Sequence, residues 1–192
     1  MVSRIGPLVE VGKRKTALAV HVAGGLVGGA SIGVLLGFAG LLLRAVLGDT
    51  LDTVFIVAVP AALLYGALVD LGLVPLQITS ERQTPGSWDC ALGHYPGIFA
   101  WGFDLGLGVT TRIPYQSLLV LPFAALLSGN LAAALAIMAV YGASRALAVA
   151  AAISAAGSDY AAACDAIQTR VQPLKRIVGA TALVIAGLIV IS

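Results

Sequence analysis

Trp101-Gly102-Phe103-Asp104-Leu105-Gly106-Leu107-Gly108-Val109-Thr110-Thr111-Arg112-Ile113-Pro114-Tyr115 decides how this chain is read. The stretch lies inside a long apolar region, 95–128, yet it carries a carboxylate, a guanidinium, two threonine hydroxyls, three glycines and a proline. Glycine and proline free backbone groups from helical pairing, and in lipid those groups need protein or water as partners. Residues 95–128 therefore read as a broken or strongly bent helix with its interruption near Gly106–Pro114.

Composition places the whole chain in a bilayer. Of 192 residues, 59% are hydrophobic and only 10% are charged, against roughly 25% charged in soluble domains. The mean hydropathy is +1.01. The net charge of +2 includes no basic block of the kind that binds nucleic acid. The 23 glycines suit helices that approach closely in lipid. Two cysteines far apart imply neither a disulfide framework nor a metal site. No cofactor motif is present.

Outward from the central stretch, the pattern repeats. Residues 1–15 form a basic segment with Arg4, Lys13, Arg14 and Lys15, which the positive-inside rule keeps in the cytoplasm. Residues 16–47 are an uncleaved apolar helix, longer than a bilayer core, that must tilt, bend or project from it. Gly25, Gly29, Gly33 and Gly37 recur at steps of four and mark a packing face. His21, near its start, reads as a packed or interfacial residue. Residues 48–52 form a turn in which Asp49 or Asp52 caps the next helix, expected over 53–76. Pro60 kinks that helix, and Asp70 near its end is read as solvated at the interface, with a buried partner as the alternative. Residues 77–94 are a polar connection with Trp88 as a headgroup-level anchor. After 95–128 comes a turn at Ser128-Gly129-Asn130, then a helix over 131–155 with Arg145 near its middle. Residues 156–173 form a second connection. Its Tyr160, Cys164, Ile167 and Val171 make one apolar face of a surface helix that Pro173 ends. A final helix occupies 174–192.

The expected fold is an all-α polytopic transmembrane bundle forming one integral membrane domain over 1–192. Residues 16–94 and 95–173 are two comparable halves, each with a long glycine-rich bent segment, a glycine turn and a helix bearing Tyr-Gly followed by a charge (Tyr65-Gly66 with Asp70, Tyr141-Gly142 with Arg145). Five spans put Arg82, Arg170, Lys175 and Arg176 in the cytoplasm with the N-terminus. Six spans follow if Arg112-Ile113-Pro114 is a loop, and then Arg170, Lys175 and Arg176 fall outside, against the positive-inside rule. Five are favoured, in a cell membrane.

The candidate substrate or ion pathway is Asp104, Thr110, Thr111, Arg112 and Arg145. A charge in mid-bilayer costs several kcal/mol on most scales, so Asp104 and Arg145 are expected to meet directly or through water. An ion pair that merely fixes helix register is the competing reading. Cys90 and Cys164 both fall in expected cytoplasmic connections. They form either a reversible thiol pair or two separate reduced thiols.

Arg82-Gln83, Trp88, Trp101-Gly102, Leu105-Gly106, Gly108, Thr110, Tyr115, Leu126-Leu127, Gly129, Tyr141-Gly142 and Arg145 together resemble, over roughly 80–150, the cytochrome c biogenesis and thiol-disulfide interchange transmembrane family. The resemblance implies a six-helix inverted repeat that moves reducing equivalents through two cysteines beside prolines in its first and fourth helices. Here the cysteines lie in connections and no Pro-Cys pair occurs, so no catalytic residue carries over.

Three functions compete. A small transporter or conduit uses the polar interruption. A membrane accessory or scaffold subunit, assisting a redox or other partner, uses the glycine faces and the surface helix. The partners then implied are the bilayer, a second copy or another membrane protein. A membrane enzyme ranks last, since no His-Glu-x-x-His or Gly-x-Ser-x-Gly occurs, and His21 and His94 stand apart without a nucleophile.

Overall fold

A computed structural model describes residues 13–75, 88–108, 115–156 and 160–191, without the side chains of 89, 90, 156, 160–168, 172 and 187–191. The described residues are helical and include no strand. The elements are α1 (Arg14–Leu47), α2 (Thr50–Asp70), α3 (Trp88–Leu92), α4 (His94–Leu107), a 3-10 helix (Gln116–Leu119), α5 (Val120–Leu127), α6 (Leu131–Ala156) and α7 (Tyr160–Ile191). Among the described residues three helices are long and apolar enough to cross a membrane: Arg14–Leu47, Thr50–Asp70 and Leu131–Ala155. At 34 residues and ~1.5 Å rise per residue, α1 is ~51 Å long.

The chain divides into two compact units. The first comprises α1 up to Ile32, α3, α4, α6 from Ala139 and α7 up to Thr169. Glycine sets its geometry. Gly102 lies against the His21 carbonyl, and Gly106 and Gly142 both lie against the Gly25 carbonyl. Three backbones thus meet at one turn of α1, an approach that small residues permit and any side chain forbids. The order of contacts, His21 with Gly102 and then Gly25 with Gly106, makes α1 and α4 parallel here. Gly25 against Gly142 and Ala146, with the Arg14 guanidinium 2.6 Å from the Ile153 carbonyl oxygen, makes α6 antiparallel to α1. Ala17, Ile98, Trp101 and Ile153 form the apolar centre of the unit. Trp88 packs half-buried against that cluster.

The second unit comprises the rest of α1, α2, the 3-10 helix, α5, α6 up to Met138 and α7 from Arg170. Gly33 and Gly37 pack on Leu131 and Ala134, and Gly40 on the Leu126 carbonyl. The glycine face expected on α1 is therefore occupied within the chain along its length. Leu63, Ala67, Ala182 and Ala186 form the apolar centre, with Val120 against them.

Several helix boundaries differ from the sequence expectation. α2 stops at Asp70 rather than near 76. Leu73 N–H bonds to the Leu68 carbonyl and Gly72 N–H to that of Val69, the Schellman pattern, with Gly72 at φ +80°. Asp49 occupies the N-cap of α2 without a side-chain cap bond. Asp52 instead pairs with Arg44 at 3.2 Å on the exposed surface. Pro60 lies buried within α2. Pro173 does not end a surface helix, because α7 runs through it from Tyr160 to Ile191. Proline removes one helical N–H, a loss that membrane helices accommodate by local adjustment. The apolar face expected at Tyr160, Cys164 and Ile167 lies outside the described side chains.

Candidate functional site

The long segment 95–128 is not one helix. α4 ends at Leu107 and is capped by Gly108, whose φ of +73° is left-handed. A Cβ at Gly108 would also stand 2.6 Å from Cε1 of Tyr141. Both conformation and space thus require glycine where the helix stops.

Tyr141 and Arg145 are one turn apart on α6 and act together. The Arg145 guanidinium lies 5.5 Å from the Tyr141 ring centroid, within cation–π range. Its Nη1 donates to the Leu105 carbonyl at 3.1 Å and to the Tyr141 hydroxyl at 3.4 Å. Arg145 therefore reaches the turn of α4 that holds Asp104, which is 2% exposed. A fixed cation, a buried carboxylate, a phenol and a helix end come together in the first unit. This arrangement can hold a polar or charged group away from lipid.

Thr110, Thr111 and Arg112 lie outside the described residues, as do the side chains of Cys90 and Cys164. Tyr141 was visible in the sequence only as part of a repeated Tyr-Gly. Its position four residues before Arg145 is the signal for its part in the site.

No known protein family, characterised protein or solved structure matches the chain. The site therefore rests on its own geometry.

The second unit holds a polar contact that the sequence reading underestimated. Asp70 is not solvated at an interface but 4% exposed. One carboxylate oxygen accepts the Gln116 N–H at 2.8 Å. The other accepts the Ser117 N–H at 3.0 Å and the Ser117 hydroxyl at 2.7 Å. These amides open the 3-10 helix that leads into α5. Helix starts leave N–H groups unpaired, and a carboxylate there meets both the hydrogen-bonding demand and the helix dipole. Asp70 is thus a cap supplied from another helix. Gly66 makes it feasible, since a Cβ there would stand 2.5 Å from the Ser117 Cα.

Proposed function

We propose that the chain is a small multi-pass conduit in a cell membrane that carries a polar or charged solute past the interruption after α4. The observation that carries this is the Arg145 guanidinium bonded to the Leu105 carbonyl beside buried Asp104, where α4 stops at Gly108 within an apolar segment. Broken helices with charged side chains at the break are how transporters build sites within the bilayer, and intramembrane ionisable groups are functional candidates.

In this reading the five spans are α1, α2, the broken α4–α5 segment, α6 and α7. The basic residues Lys13, Arg14, Lys15, Arg170, Lys175 and Arg176 are cytoplasmic with the N-terminus. Glycine turns at φ +56° (Gly48) and +55° (Gly129) follow the two long segments. The parallel course of α1 and α4 in the first unit fits a parallel repeat. The accessory-subunit alternative uses glycine faces and a surface helix, and the glycine face of α1 is filled internally.

The test is solute flux in proteoliposomes, followed by stopped-flow light scattering with glycine, acetate and inorganic phosphate as permeants. Asp104→Asn is expected to lower the flux of whichever permeant the wild type passes by at least tenfold, with the protein still folded. Equal flux would remove Asp104 from the pathway. A wild type that passes none of them and purifies with a stoichiometric partner would favour the accessory reading.

A further inference from the structure

Among the described residues, the seam between α1 and α4 in the first unit contains buried nitrogens without a hydrogen-bond partner. His21 is fully buried, and both Nδ1 and Nε2 are unpartnered. The backbone of Ile98 lies beside the ring. Trp101, 3% exposed, leaves its indole N–H unbonded, and Nε2 of His94 is likewise buried and unbonded. Buried polar groups normally find partners, and an unmet one calls for an explanation.

Register aligns these groups. Gly102 packs on the His21 carbonyl, so the His21 turn of α1 faces the Trp101–Gly102 turn of α4. On α4, His94, Trp101 and Asp104 are seven and three residues apart and share a face. The line leads from the N-terminal end of α4 to the buried carboxylate beside Arg145. Among the described side chains of the elements packed here, the other titratable or charged groups are Lys13 just before α1, Arg14 and Lys15 on α1, Tyr95 on α4, and Tyr141 and Arg145 on α6, and α3 also carries Asp89 and Cys90, whose side chains are not described.

The chemistry narrows the occupant. An indole N–H only donates, whereas a neutral imidazole donates at one nitrogen and accepts at the other. One small molecule that both donates and accepts serves them together, and internal water commonly fills that role. We propose that internal water occupies the seam between the His21 ring and the Trp101 indole. The hydrated histidine then relays protons between the His94 end of α4 and Asp104, making the proton the coupling ion of the conduit. This inference rests on the conduit reading. In each relay an incoming proton binds the unprotonated ring nitrogen. The N–H bond on the other nitrogen breaks, and that proton passes through water to the Asp104 carboxylate. A ring flip restores the starting tautomer.

The test uses full-length protein in liposomes loaded with pyranine, with a valinomycin-set potassium diffusion potential driving protons inward. His21→Leu preserves bulk and removes both nitrogens. His21→Gln keeps hydrogen bonding but cannot relay. Each is expected to reduce proton flux at least tenfold while the melting temperature stays level or rises. Wild-type flux in both folded variants would overturn the relay. Exchange of the His21 ring C2 hydrogen in D2O, read by mass spectrometry on folded wild type, tests hydration without any variant. Measurable exchange is expected, and complete protection would overturn the water site. Solute flux by a wild type that moves no protons would overturn the relay while leaving the conduit reading intact. Loss of solute flux in Asp104→Asn, with proton flux unchanged, would likewise overturn it.

Discussion

Gly142→Ala is expected to destabilise the folded protein by about 3 kcal/mol or more, at the upper end of what overpacking usually costs. The added Cβ would fall on the Gly25 carbonyl oxygen, and the Gly29 Cα is only 3.0 Å from the same point. Both obstacles are backbone, so no rotamer change relieves them. Gly106→Ala is expected to cost as much, because its Cβ meets the same Gly25 carbonyl. One displacement of α1 would relieve both clashes, so the double variant should cost less than the sum of the singles. Thermal melting in detergent micelles measures all three. Leu64→Ala, at a 44% exposed position, serves as the control and should change stability by roughly 0.5 kcal/mol or less. If Gly142→Ala melts with the control, the three-backbone junction is not what holds the first unit.

Asp70→Ala is the second large effect. It leaves the Gln116 and Ser117 amides and the Ser117 hydroxyl without their acceptor. A buried donor without a partner costs about 1–3 kcal/mol. The expected total is about 3 kcal/mol or more, since shared partners do not add fully. Asp70→Asn should fall between wild type and alanine. Its one carbonyl oxygen accepts one amide, while its NH2 group faces donors. Amide hydrogen exchange at Gln116 and Ser117 should accelerate in both variants, more in alanine. Unchanged protection at those two amides would show that the start of the 3-10 helix is held by something other than Asp70.

These two residues show where the sequence was readable. Glycines at steps of four on α1 announced a packing face, because spacing alone fixes which side of a helix they share. What they packed against was hidden, since Gly106 and Gly142 are distant in sequence. The interruption after α4 was readable from composition, and Gly108 locates its start. Arg145 was recognisable as a cation that needed a partner, but its bond to the Leu105 carbonyl was not, because backbone acceptors leave no mark in a sequence. Asp70 was misjudged by position. It lies near the end of an apolar run, where solvation is the ordinary outcome, and nothing local reveals that a helix start lies against it. Pro173 misled in the opposite way, because a proline that breaks a soluble helix is tolerated in α7. His21 reads from sequence as a packed or interfacial residue, and the want of partners for its nitrogens among the described residues becomes visible only in three dimensions.

The central claim is that water reaches the end of α4 beside Asp104 and Arg145. Leu107→Cys, in a background carrying Cys90→Ser and Cys164→Ser, places one thiol at the last residue of α4. Labelling in sealed proteoliposomes with a membrane-impermeant methanethiosulfonate measures its access directly. The conduit account predicts labelling at a rate well above that of a cysteine at exposed Leu64 on α2, and slower labelling when a permeant solute is present. A thiol at 107 that stays unlabelled while the protein remains folded would contradict it.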